Sequence, residues 1–454
     1  MADTPSIDVE RLLAIGDRVA AMGHDDEQVE AVVVHERETE IRVYEADVES
    51  FSSAESAGVG IRVVKDHRQG FAYAGSLDDD VLEETLADAR DNAVFGTPDE
   101  YLGLAEPDGI APAQLDLWRD ELLALPTEAK IDLALELERL TLGADPRMTC
   151  VESAEYVDTF AAAAIVTNTG IRSASRETAC YLMVYALAEE GDDTQTGFGF
   201  SLGRDPATLD PSAAASDAAE RATRLLGATK PKYERLTVVL DPWVTAQFLG
   251  IVSSTLSGEA VLKGRSLFAD RVGEQVGAPM LELVDDPTNP EAFSATETDG
   301  EGLATRRNVL ISDGVLQGFV HNAYTARRLG TRSTGSAVRG FKSTPGAGCM
   351  ALALAPGTRP QSDLVASIDN GVLVQGVAGL HSGVNPVSGD FSTGAEGLRI
   401  RGGALDEPVR EFTIASTLQR MLLDVQEVGS DLQWLPMRSA GVSLVIGDVT
   451  VSGA

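Results

Sequence analysis

The chain has 454 residues, 43% hydrophobic and 24% charged, the make-up of a folded globular protein with room for two or three cores. Its 71 acidic residues against 36 basic ones give a formal net charge of −35, which repels nucleic-acid phosphates and excludes bulk DNA or RNA binding. Cys150, Cys180 and Cys349 form no CxxC pair, which argues against a cysteine-rich metal site and for a reducing compartment.

The first sixteen residues, MADTPSIDVERLLAIG, carry acids and lack the basic start and apolar core of a signal peptide. No apolar run reaches the roughly 18 residues that span a bilayer. A cytoplasmic protein is expected, with no membrane partner. So acidic a surface stays hydrated where salt screens its self-repulsion, and it predicts the salty cytoplasm of a halophile. Residues 8–23 have helical periodicity and stop at Gly23. Ala31–Val34 through Ile41–Tyr44 reads as a strand, with a partner at Asp47–Ser52. Gly60–Val64 and Gly70–Gly75 read as a hairpin around polar residues 66–69. Ser76 is placed to cap an acidic-fronted helix.

Pro98–Pro126 reads as loop. Thr127–Leu142 is an amphipathic helix, apolar at Ile131, Leu133, Leu135, Leu137 and Leu140. Met148–Phe200 reads as strands and turns, with a strong turn signal at Thr167–Gly170. Pro211–Leu226 is an Ala-rich helix. Lys230–Arg235, short, basic and containing Pro231, marks the domain boundary. Trp243–Lys263 predicts one long apolar helix. Beyond it lie short strands at Arg307–Ile311, Val315–Val320 and Gly371–Gln375, then a helix-like stretch, Ile414–Val428, and strands near Val442–Ile446. The expected fold is α+β. Residues 1–230 form an antiparallel sheet with covering helices. Residues 231–454 form a strand-rich, barrel-like domain curled around the helix ending at Lys263.

Phe248–Val276 (FLGIVSSTLSGEAVLKGRSLFADRVGEQV) and Gly379–Gly403 (GLHSGVNPVSGDFSTGAEGLRIRGG) resemble the PmbA/TldE branch of the TldD/PmbA family, known also as modulators of DNA gyrase. In the TldD branch the matching helix carries HExxxH, and a cysteine near the C-terminus adds a ligand. Two imidazoles hold zinc there, and the glutamate takes a proton from metal-bound water. Here the hexapeptide is Gly258-Glu259-Ala260-Val261-Leu262-Lys263, and residues 426–454 hold no cysteine. Glycine offers no ligand and an ammonium repels a dication. The resemblance implies no metal in this chain and a TldD-like partner subunit that carries the zinc. It implies a hetero-oligomer, a homodimer when the chain is alone, and peptide or unfolded protein as substrate. Two other classes stand beside it: a peptidase active alone through another site, and a non-catalytic regulatory binding protein.

Glu259 is the one candidate catalytic residue, against the plainer reading of a carboxylate paired with Lys263 at i, i+4. Lys263, Arg265 and Arg271 form a basic cluster, either a solvated helix end or a grip on a substrate carboxylate or a partner's acids. His381, Asn385 and Asp390, with Ser388, form either a turn network or a substrate- or partner-facing loop. His35-Glu36 with Glu40 looks like a metal motif, but strand alternation turns His35 and Glu36 to opposite faces. His24, His67 and His321 have no triad signature, and the GxG at Gly197–Gly199 lacks the strand-then-helix context of a nucleotide site.

Overall fold

A computed structural model gives residues 8–453, so the reading of Met1–Ile7 as free of a targeting segment lies outside the described residues. Helix α1 (Val9–Ala21) starts at Asp8, whose carboxylate accepts the N–H groups of Glu10 and Arg11 at 3.0 and 3.3 Å. Strands β1 (Gln28–Tyr44), β2 (Asp47–Lys65) and β3 (Arg68–Ala74) follow. Helices α2 (Asp79–Phe95), α3 (Asp120–Ala124) and α4 (Thr127–Ala144) come next. Then come β4 (Met148–Thr167), β5 (Arg172–Glu190), β6 (Asp193–Gly203) and α5 (Pro211–Arg224). The strands form one sheet in the order β3-β2-β1-β4-β5-β6, antiparallel throughout.

Helices cover one face of this sheet. Leu12, Val19, Leu82 and Leu86 pack on Val29, Ala31, Val33 and Ile61. Farther along, Leu137, Ala214 and Ala218 pack on Tyr156, Phe160 and Leu182. A Cβ on Gly197 or Gly199 would lie 2.1 or 1.9 Å from a carbonyl oxygen of α5. The GxG pair therefore lets a helix backbone rest on β6. The residues between those core positions, Val32, Ala161, Ala163 and Ile165 among them, face the other way into a cleft.

Two sequence expectations are corrected here. Asp47–Ser52 and Gly60–Val64 belong to one strand of 19 residues, not to two elements. Its first half is exposed, so no apolar alternation marked it. The α2 cap is Asp78, with the Ser76 hydroxyl bonded to its carboxylate at 2.9 Å.

The second half opens with β7 (Glu234–Leu240), α6 (Pro242–Thr255) and α7 (Gly258–Leu262). A small sheet and a ribbon follow. They comprise β8 (Leu283–Asp285), β9 (Asn308–Ser312), β10 (Val315–Leu316), α8 (Ala323–Leu329), β11 (Ala337–Val338), β12 (Gly346–Ala347) and β13 (Leu352–Leu354). Then come α9 (Gln361–Ala366), β14 (Asn370–Ala378), α10 (Leu380–Gly383), β15 (Asp390–Arg401) and β16 (Ala404–Thr417). The last elements are α11 (Leu418–Leu423), β17 (Val425–Val428) and β18 (Leu444–Ser452).

Strands β16, β15, β14, β7 and β18 form a barrel, closed where Thr413–Ala415 of β16 pairs with Thr450–Ser452 of β18. Only β7 and β14 in it run parallel. Val244, Phe248, Leu249 and Val252 of α6 share a core with Leu236, Val238, Val372 and Val374 of the barrel. The fold is thus α+β, with a strand-rich half built on a central helix. Ile414–Val428 is corrected from one helix to a strand end, a six-residue helix and a short strand. No helix among the described residues is long and apolar enough to cross a membrane.

Buried ions join the halves. Glu30 of β1 takes Arg62 at 2.8 Å and also Arg339, and Arg62 stands 3.8 Å from Glu301.

Candidate functional site

The predicted helix Trp243–Lys263 is broken at its most informative point. Ser257 adopts an extended backbone, φ −106° and ψ 147°, and its side chain accepts the Ala260 N–H at 3.2 Å. The Gly258 N–H donates to the Val320 carbonyl at 2.8 Å instead of to α6. The hexapeptide therefore sits on α7, a separate five-residue helix with its own cap.

Gly258 is buried. A Cβ there would lie 2.3 Å from Nδ1 of His321, 2.6 Å from its Cε1 and 3.0 Å from Thr325 Cβ. The volume that a first motif histidine would enter holds the ring of His321, itself 7% exposed. Its Nδ1 lies 3.3 Å from the Thr325 hydroxyl, and burial holds its pKa below the usual value, so the ring is neutral at pH 7. Glu259 Oε1 accepts a hydrogen bond from the Lys263 ammonium. Its other oxygen packs 3.1 Å from where a Cβ on Gly346 would stand.

This donor set does not fit zinc. Helix α7 offers one carboxylate, engaged by a cation, and no imidazole. Cys349 lines the adjoining cavity, but burial, and then the Asp285 charge, push its thiol well above the ordinary range. A protonated thiol is a poor metal ligand and a poor nucleophile. Among the described residues His24, Asp26 and Glu27 lie close enough together to share an ion, but Lys65 takes Asp26 at 2.8 Å and Arg90 takes Glu27 at 3.0 Å. His35 bonds Glu55 across the strands at 2.6 Å.

A cavity of about 630 Å³ lies beside α7, lined by Gln247, Glu259, Lys263, Arg265, Val387 and Arg438 among others. A second, of about 540 Å³, lies between the helix-free sheet face and the C-terminal half and shares Met437 and Arg438 with the first. A third, of about 460 Å³, shares Glu259 and Lys263 and is walled by Arg62, Tyr324 and Arg328.

The structure brings Gly258, Glu259, Lys263 and Arg265 to one place. Arg271 is elsewhere, held by Glu274 at 2.9 Å and by the Gln275 carbonyl at 3.2 Å. His381 is exposed on α10. Asn385 accepts the N–H groups of Val387 and Ser388 at 2.9 and 3.3 Å, and Asp390 accepts the Ser388 hydroxyl at 2.6 Å. This loop reaches the first cavity through Pro386 and Val387, not through its polar residues. Arg438 escapes the sequence reading, Gln247 passes there as one position of a long helix, and His321 is weighed there only for a triad and not as a neighbour of Gly258. His321 and Arg438 are remote in sequence from the hexapeptide, and none of the three carries a local signature.

Three family models match the chain: PmbA/TldA metallopeptidase domain 1 over residues 29–93, the central domain over 120–226 and the C-terminal domain over 233–453. The chain is 26% identical over 410 residues to a protein of Escherichia coli O157:H7 named metalloprotease PmbA, covering 90% of this chain and 88% of that one. It is 27% identical over 424 residues to a metalloprotease TldD homolog of Haemophilus influenzae, covering 87% and 86%. The crystal structure of TldE from Thermococcus kodakarensis superposes with a TM-score of 0.88 at 25% identity, covering 98% of this chain and 99% of that one. A Thermotoga maritima crystal structure gives 0.89 at 25% identity over 97% and 99%. With the closed barrel, the open-faced sheet and these matches along nearly its whole length, the chain belongs to the TldD/PmbA metallopeptidase family.

Proposed function

We propose that this chain is the zinc-free, TldE-like subunit of a peptidase whose metal is held by a TldD-like partner in the cytoplasm. The observation that carries the proposal is the pairing of Gly258 with His321. The space for a ligand on α7 is packed with a neutral ring, and Glu259, the remaining motif residue, neutralises Lys263. A carboxylate held by an ammonium, with no metal-bound water beside it, has no proton to take. This chain's own residues then serve the reaction by binding. The cleft between the sheet and the C-terminal half holds peptide or unfolded chain, and the partner supplies zinc and base.

The test is co-expression with a TldD-like subunit from the same genome, purification at high salt, and metal analysis. About one zinc per heteromeric pair is expected, with peptidase activity only in the pair. Stoichiometric zinc and peptide hydrolysis by the isolated chain would overturn the proposal.

A further inference from the structure

The first cavity carries an excess of positive charge in a chain of net charge −35. Glu259 and Lys263 cancel each other. Arg265 and Arg438 remain, both exposed and, among the described residues, without an ion-pair or side-chain hydrogen-bond partner. The chain pairs most of its other arginines; Arg271, Arg306, Arg328, Arg339 and Arg359, for instance, all hold acids. With acids outnumbering bases about two to one, a guanidinium left free is the exception, and two such groups lining one cavity suit an anion. In the lining of the same cavity the buried Oε1 of Gln247 has no partner. It is an acceptor for an N–H, which inorganic anions lack and a peptide has.

Position narrows the ligand further. Arg438 lies on both this cavity and the cleft under the sheet. The sheet wall of that cleft includes a run of small side chains, Ala161, Ala163, Ser173, Ser175 and Ala179, beside the larger Val32, Ile165 and Glu177. Such a wall leaves room for an extended polypeptide along it. Guanidinium forks match carboxylates in geometry and bond them more strongly than neutral partners do.

We infer that Arg265 and Arg438 bind a carboxylate of the peptide that occupies the cleft, fixing the register of the peptide relative to α7. The inference rests on the peptide-handling reading above and adds the chemical group recognised. The carboxylate comes from the peptide's C-terminus or from an aspartate or glutamate side chain, and the experiment separates the two.

The experiment uses the full chain at high salt and fluorescence anisotropy with three probes. They are an N-terminally labelled Ala/Ser octapeptide as the free acid, the same peptide as the C-terminal amide, and the amide with one internal Asp. A carboxylate site predicts that the free acid, the Asp peptide or both bind about tenfold more tightly than the plain amide. Arg438→Gln and Arg265→Gln remove that advantage, bringing the acid peptides to the affinity of the plain amide measured on the same variant. Both side chains are exposed, so the variants fold, and circular dichroism checks this. If all three peptides bind alike, the carboxylate inference is overturned and peptide handling stands. If none binds, both fall.

Discussion

Gly258 and His321 share a single volume: a side chain at the first position would overlap the imidazole at the second by more than an ångström. The first prediction comes from that relationship. Gly258→Ala forces a buried ring and Thr325 to move, and should cost about 1–3 kcal/mol in a urea unfolding experiment. The double variant Gly258→Ala, His321→Ala should be less unstable than the sum of the two single changes, because the alanine methyl then enters the vacated space. Additive losses would contradict the shared-volume reading.

Glu259 should be dispensable for chemistry. In an assembled complex with a TldD-like subunit, Glu259→Gln in this chain should leave peptide hydrolysis within about twofold of the parent. Its pairing with Lys263 is partly exposed and spans i, i+4, so the stability loss should be at most about 0.5 kcal/mol. A loss of activity of a hundredfold or more would return Glu259 to the catalytic machinery.

The buried charges between the two halves should behave differently from surface pairs. Glu30→Gln leaves Arg62 and Arg339 facing each other without their shared anion. A cost of about 3–5 kcal/mol in unfolding free energy is expected. Glu55→Gln, which removes a half-exposed partner of His35, serves as the control and should cost under about 0.5 kcal/mol.

Asp299 makes stability depend on pH. Burial, and then the neighbouring Glu301 charge, raise its pKa from 3.8 to about 7, although it accepts N–H groups from Glu301, Leu303 and Ala337. The folded state therefore holds a proton that the unfolded state releases between about pH 4 and 7. The stabilisation is complete below pH 4 and is lost as pH rises towards 7, by about 1.4 kcal/mol per pH unit for one proton. Asp299→Asn cannot titrate, so the difference in unfolding free energy between parent and variant should shift in the variant's favour from pH 5 to 8. A difference that stays constant over this range would show that Asp299 is ionised throughout.

Much of the fold could be read from short-range pattern. Thr127–Leu142 and Pro211–Leu226 kept their helical period, and the α4 and α5 helices stand there. Pattern failed where burial does not alternate. The exposed start of β2 has no apolar face, and a mostly apolar stretch that resumes after Ser257 hid the stop there. The motif positions could be placed because six consecutive residues carry them. What surrounds them could not be placed. His321 and Arg438 meet α7 only after the chain has folded, and no spacing in the sequence links either to Glu259. The same holds for Arg271, which sits near Lys263 in sequence and turns to Glu274 in space.

The barrel seam has a bearing on biosynthesis. Strand β7 lies between β14 and β18, so the first barrel strand made waits for partners that emerge well over a hundred residues later. Until residues past 444 have left the ribosome, β7 has an unfilled edge and α6 rests on an incomplete wall. Such long waits slow folding and leave bare strand edges open to mispairing. Chaperones acting on nascent chains should therefore hold this protein longest over its second half, while the locally paired hairpins of the first half are already shut.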